Sequence, residues 1–180
     1  VSGTTNLTIG STNTSTITMP NGALSGQNYP AFLARLDGTQ SVSDNTLTKV
    51  RLDEEIFDTD NCFDSTTNYR FTPNVAGRYF LYGQIWMDSG VTSNNTNQIT
   101  FYIYKNTSNL ISLSRSDFRT NYGGRYNTLT TSFIASANGT TDFFEIYGMN
   151  NVQTTGSQGF YATSANTDGY TYFCGYRIGA

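Results

Sequence analysis

The chain has 180 residues, enough for one good core and few enough that one domain is the default. Charged residues make up only 13%, and 10 Lys plus Arg stand against 13 Asp plus Glu for a net charge of −3, which argues against the clustered cations of a nucleic-acid surface. There is no histidine, which excludes a His-based triad, a Cys–His nucleophile pair and a His-ligated metal site.

Residues 1–28 are Thr, Asn, Ser and Gly with sparse apolar positions (Leu7, Ile9, Ile17, Met19, Leu24). So little apolar surface cannot fold alone. Leu7-Thr8-Ile9 and Thr16-Ile17-Thr18-Met19 alternate with period two. The segment therefore reads either as a flexible lead-in or as a stem whose short strands pair with other chains. No basic segment followed by an apolar one marks a signal peptide at the start. No apolar run approaches the roughly 20 residues that cross a bilayer.

From residue 29 to 180 the chain reads as one all-β head. Thr, Tyr and Phe favour strands, and Asn and Gly favour the turns between them. Pro30–Leu36 (PAFLARL) is the first strand expected. Thr46–Leu52 sets Leu47, Lys49 and Arg51 against Thr48, Val50 and Leu52. Ile56-Phe57-Asp58 and Tyr69–Pro73 are short, and the latter ends in a proline that cannot continue a ladder. Arg78–Met87 (RYFLYGQIWM) is the strongest strand signal. Gln98–Lys105 puts Ile99, Phe101 and Ile103 on one face, Tyr102 and Tyr104 on the other. Thr128–Ala135, Asp142–Tyr147 and Tyr170–Ile178 complete the set, and Asn106–Asn127 reads as one long loop. Nine or so strands at regular spacing, with no repeat of 20 to 50 residues, fit a jelly roll.

Two strands are large on both faces. Arg78–Met87 sets Tyr79, Leu81, Ile85 and Met87 against Phe80, Tyr82 and Trp86. Tyr170–Ile178 sets Tyr170, Tyr172, Cys174, Tyr176 and Ile178 against Phe173. A sheet apolar on both faces needs a second partner, and another copy of the chain is the simplest one. The alternative is tyrosine facing water with its hydroxyl solvated.

Three motifs carry a family likeness. Pro30-Ala31-Phe32-Leu33-Ala34 resembles the opening A-F-x-A strand of the C1q-like globular head. Tyr69-Arg70-Phe71-Thr72-Pro73-Asn74-Val75-Ala76-Gly77-Arg78-Tyr79-Phe80 is similar to the family's F-T-x-P-x-x-G-x-Y-x-F signature, with the proline directly after the threonine. Phe173-Cys174-Gly175-Tyr176-Arg177-Ile178 resembles its closing F-S-G-F-L-I strand, with Cys for Ser and Tyr for Phe. The resemblance implies a ten-stranded jelly-roll β-sandwich of the C1q and tumour necrosis factor type, a tight homotrimer, and no enzymatic activity. In such a trimer the first and last strands lie near the three-fold axis, which makes Phe32, Tyr172, Phe173, Gly175 and Tyr176 the candidate interface. Gly175 in a strand marks a close approach by another group. The lead-in GTTNLTIGSTNTST and the stretches SVSDNTLTKV and FDTDNCFD resemble bacteriophage fibre and virion proteins. That likeness implies a place on the phage particle, as a receptor-binding fibre head or a capsid decoration protein. Its partners would be itself, plus a host surface glycan or protein, or neighbouring virion subunits. A secreted, extracellular C1q-like ligand is the further alternative.

Binding residues concentrate on loops held by a rigid frame, and Tyr with Arg makes adaptable recognition surfaces. Arg115, Phe118, Arg119, Tyr122, Arg125, Tyr126 and Tyr161 are the candidates for ligand or partner contact. The acidic stretch Asp53-Glu54-Glu55, Asp58, Asp60 and Asp64 faintly resembles a calcium loop. Cys62 and Phe63 stand where that loop needs an oxygen ligand and a glycine, so no metal and no other cofactor is expected. Cys62 and Cys174 are open to a disulfide or to two separate thiols.

Overall fold

The computed structural model describes residues 29–90, 95–118, 124–154, 156, 158–162 and 170–179. The stem expected at 1–28 lies outside them. Thirteen strand elements occur among the described residues, and no helix. They are β1 (Ala31–Arg35), β2 (Gln40–Ser41), β3 (Thr48–Lys49), β4 (Glu54–Asp58), β5 (Phe63–Asp64), β6 (Arg70–Phe71) and β7 (Ala76–Asp88). Then follow β8 (Thr96–Lys105), β9 (Asn109–Asp117), β10 (Tyr126–Asn138), β11 (Phe144–Val152), β12 (Gly159–Phe160) and β13 (Tyr172–Gly179).

They form two antiparallel sheets packed as a jelly-roll sandwich. The first runs β2-β12-β7-β13-β1-β4, with β10 along the opposite edge of β7. The second runs β5-β6-β11-β8-β9, with β3 also on β11. Alternation decides what faces inward. Along β7, Tyr79, Leu81, Ile85 and Met87 are buried, while Phe80, Tyr82 and Trp86 are only partly covered. Along β8, Ile99, Phe101 and Ile103 are buried and the tyrosines between them face outward.

The three motifs meet in one aromatic stack. Phe32 from β1 stacks on Phe71 at 4.2 Å and on Phe63 at 5.1 Å, and meets the edge of Phe173 at 5.1 Å. Phe71 reaches Tyr79 at 5.6 Å and Phe144 at 6.4 Å. Rings from both sheets thus interlock, and burying each contributes about 1.5–3 kcal/mol. The fully buried Tyr79 hydroxyl donates to the Val75 carbonyl at 2.6 Å, so no polar atom is stranded there. Gly77 has φ +151°, and a Cβ there would sit 2.3 Å from the Gly179 carbonyl oxygen, so the turn into β7 requires glycine.

One expectation is overturned. Asn106–Asn127 is not a single loop, because residues Asn109–Asp117 form the nine-residue strand β9 paired with β8. Its sequence hides the strand. Ser112, Ser114 and Ser116 occupy the inward positions, so an edge strand shows no apolar face in its sequence. Cys62 and Cys174 are unbridged, the first in the core and the second half-buried on the outward face of the first sheet. Burial pushes both thiols up.

Candidate functional site

The outward face of the first sheet is aromatic and incompletely covered. On β13, Tyr172, Cys174 and Tyr176 point outward between β7 and β1. Tyr176 packs on Phe80 at 5.6 Å, and Tyr172 on Tyr82 at 5.9 Å. Between this row and β4 lies a hollow of about 660 Å³ lined by Leu33, Phe57, Gln84, Tyr172, Cys174 and Tyr176. Tyr176 remains 52% exposed, and Phe57 and Ile178 are exposed beside it. At the β10 edge, two strands from β13, Ile134 (53%) is exposed on the outward face opposite Phe80, and Phe133 is exposed on the other face opposite Leu81. The five candidate interface residues therefore divide. Tyr172 and Tyr176 lie on this outward face. Phe32 and Phe173 point into the sandwich, and a Cβ on Gly175 would meet Leu81, Phe80 and Phe32 of its own chain at 2.8–3.1 Å. The close approach expected at Gly175 is internal.

A second cluster sits at the end of the same face, where β7 ends and β10 begins. Trp86 is surrounded by Tyr170 at 4.2 Å, Tyr161 at 5.2 Å and Tyr126 at 5.4 Å. Beside it, the Arg125 guanidinium binds the Asp88 carboxylate in two places, at 2.8 and 3.1 Å, and lies 4.7 Å from the Tyr126 ring centre. Asn150 donates to the Asp88 carbonyl at 2.9 Å, and Asn127 to the Thr96 hydroxyl at 3.0 Å, which ties the loop ends together. Among the described residues the buried Trp86 indole nitrogen has no hydrogen-bond partner.

Of the seven loop candidates, Arg125, Tyr126 and Tyr161 are brought together here. Phe118 is partly buried against the core, with its amide bonded to the Asn97 carbonyl at 2.7 Å. Arg115 is not on a loop but on β9, where it donates to the Thr100 and Tyr102 hydroxyls at 3.2 and 3.5 Å. Arg119 and Tyr122 fall outside the described residues. The sequence reading missed Trp86, Asp88 and Tyr170 as members of the cluster. The signal available for Trp86 was its place in the outward set with Phe80 and Tyr82.

Much of the acidic stretch is engaged in turns and one ion pair, while the buried Asp60 Oδ2 has no hydrogen-bond partner among the described residues. Asp64 accepts the Thr66, Thr67 and Asn68 amides at 2.8–3.1 Å, which holds its carboxyl well below the usual range. Asp58 accepts the Asp60 and Phe63 amides, and Glu54 pairs with Arg35 at 2.8 Å.

The outward face of the second sheet differs again. Tyr102 and Tyr104 stack at 5.7 Å, and Tyr104 meets the edge of Tyr147 at 5.2 Å. Lys49 lies over Tyr147 and forms an ion pair with Glu145, which is 1% exposed. Desolvation and the adjacent Glu145 carboxylate push the Tyr147 hydroxyl up to about 12.

No protein-family model and no curated protein matches the chain. Among solved structures, the fold is similar to that of murine APRIL at pH 5.0, at 10% identity and TM-score 0.56, over 84% of this chain and 100% of that one. It is also similar to the Eiger TNF of S. frugiperda, at 8% identity and TM-score 0.53, over 83% of this chain and 91% of that one. At such identities the likeness establishes the fold alone, a jelly-roll sandwich of the tumour necrosis factor type.

Proposed function

We propose that this chain is the non-enzymatic head of a homotrimeric phage virion protein, a tail-fibre or spike tip that binds a host surface receptor. The observation that carries the assembly is the pair of apolar patches on one protomer. One is the hollow between β13, β1 and β4; the other is the Phe133–Ile134 edge of β10. Different patches on the same chain make a head-to-tail contact, and such contacts close into rings when the rotation allows. Exposed apolar surface of this kind marks an interface. The C1q-like motifs set the expected ring size at three. Light scattering after size exclusion should give a mass near three times 19.8 kDa. A monomer at micromolar concentration would overturn the assembly.

The phage setting rests on the likeness of the lead-in and of the stretches SVSDNTLTKV and FDTDNCFD to virion proteins. Receptor contact is supported by the cluster of Trp86, Tyr126, Tyr161, Tyr170 and Arg125, since rigid rings beside an anchored guanidinium suit recognition. The second reading, a capsid decoration protein, uses the same trimer with neighbouring virion subunits as its partners. Gold-labelled antibody against the head separates them. Labelled fibre tips support the first reading, labelled capsid faces support the second, and an unlabelled particle rejects both.

A further inference from the structure

The hollow on the first sheet lies where the chain enters the fold. Ala31, the first residue of β1, is part of its lining. The Pro30 carbonyl accepts the Arg177 amide at 3.0 Å, and the Thr59 hydroxyl donates to the Tyr29 carbonyl at 3.2 Å, so the entry is pinned between β13 and the end of β4. Residues 1–28, which lead into it, contain no Asp, Glu, Lys or Arg. The hollow lining contains none either. Covering one with the other therefore buries no charge. Within the lead-in, Thr16-Ile17-Thr18-Met19 alternates with period two, which sets Ile17 and Met19 on one face about 7 Å apart when extended. Pro20 and Asn21-Gly22 follow, a stop and a turn signal, and Ser25-Gly26 is a second turn signal. Nine residues separate Met19 from Tyr29, a reach of at most about 34 Å. The three strands around the hollow are about 10 Å across, so the segment reaches it with room to reverse.

We propose that Thr16–Met19 is a strap that covers this hollow in the free protomer, with Ile17 and Met19 turned into it, and that a neighbouring copy displaces it on assembly. A tethered segment meets its own hollow at a millimolar effective concentration, about a thousandfold above a second copy at micromolar concentration. The neighbour gains the hollow only by adding the contacts of its β10 edge, Ile134 included. Methionine, unbranched and adaptable, suits an irregular hollow. The rim favours the same occupant. Glu54, Glu55 and Asp58 lie on β4 beside the hollow, and a segment without acidic residues meets no repulsion there. The inference rests on the homotrimer reading and adds its regulation, a contact within the chain that holds assembly back at low concentration.

The test reads two quantities on the full chain. Cys174 lines the hollow, whereas Cys62 is in the core at 6% exposure, so maleimide labelling reads the cover at Cys174 with Cys62 as an internal control. Fluorescence-detected sedimentation follows assembly from nanomolar to micromolar concentration. In dilute protein that sediments as single protomers, Ile17→Asp and Met19→Asp should each speed labelling of Cys174 several-fold, while Cys62 stays unlabelled. Both variants should also assemble at about tenfold lower concentration than the parent, the shift expected when about nine protomers in ten are covered. Thr18→Asp places the same charge on the opposite face of the segment and should change neither readout. Labelling equally fast in parent and variants, Thr18→Asp acting like its neighbours, or variants that assemble less readily would each overturn the strap. So would a trimer that persists at nanomolar concentration, since no protomer is then left for the strap to cover. A chain that is monomeric throughout but whose Cys174 responds to Ile17→Asp and Met19→Asp rejects the homotrimer alone. A trimer indifferent to both substitutions rejects the strap alone.

Discussion

The two sheets share one core and turn different faces to the outside. The first presents Leu33 and the exposed Phe57 and Ile178 among the tyrosines Tyr172 and Tyr176. The second presents Tyr102, Tyr104 and Tyr147, with an ion pair and an arginine holding their ends. Both are aromatic, so composition alone does not separate them. What separates them is the surroundings of each ring. A ring beside exposed Ile and Phe is stabilised by excluding water, which another protein surface can do. A ring framed by Lys49, Glu145 and Arg115 has its hydroxyl satisfied by polar partners of its own chain.

The largest effect is expected where the faces share a foundation. Phe71→Ala should cost about 3–5 kcal/mol in chemical denaturation, because Phe71 touches rings from both sheets. A loss under about 1 kcal/mol would mean the stack is not the common core. Next, Tyr176→Asp should reduce the native mass to that of one protomer, while Tyr104→Asp on the other sheet should leave it unchanged. Equal effects from the two would erase the distinction between the faces. Lys49→Met should then cost about 2 kcal/mol, since it leaves the Glu145 carboxylate buried with only the Tyr147 hydroxyl. A neutral result would show that Lys49 only decorates the second face.

The smallest effect is alkaline. Desolvation pushes Tyr172 on the first face and Tyr147 on the second up to about 12, from an ordinary 10.0. A folded value above the unfolded one means that the contribution to stability is whole below pH 10 and declines as pH rises toward 12. Absorbance titration of tyrosinate should find these hydroxyls ionising late, together with the buried Tyr79, with the unfolding midpoint falling over the same range. If the first face is covered in a trimer, Tyr172 should ionise later than Tyr147. The same order in a dissociated Tyr176→Asp variant would count against that cover.

Much of this was legible along the chain. Inward and outward sets on β7, β8 and β13 followed from period two alone, since successive side chains on a strand take opposite faces. The surplus of aromatics on the outward sets was visible too, in Phe80, Tyr82, Tyr172 and Tyr176. β9 was not, because serine at its inward positions removes the apolar signal. Nor was the use of Asp58 and Asp64, whose backbone partners depend on turn geometry that the acidic pattern does not encode.

The candidate site was legible only in fragments. Arg125, Tyr126 and Tyr161 stood out as loop residues, but nothing in sequence separation of more than 80 residues places Tyr170 against Trp86. That contact exists because β13 pairs with β7. The same is true of Gly175, whose small size suggested a crowded neighbour. The sequence by itself determined the class of fold, the alternation of each long strand, and the presence of aromatic surface beyond what one core can hold. Tertiary structure decided which rings share a surface, that Phe32, Phe173 and Gly175 face the core, and that one outward face exposes apolar side chains while the other frames its tyrosines with Lys49, Glu145 and Arg115. The physical reason is that alternation is a local property of each strand, whereas the neighbours of a side chain are set by pairing between strands distant in the chain.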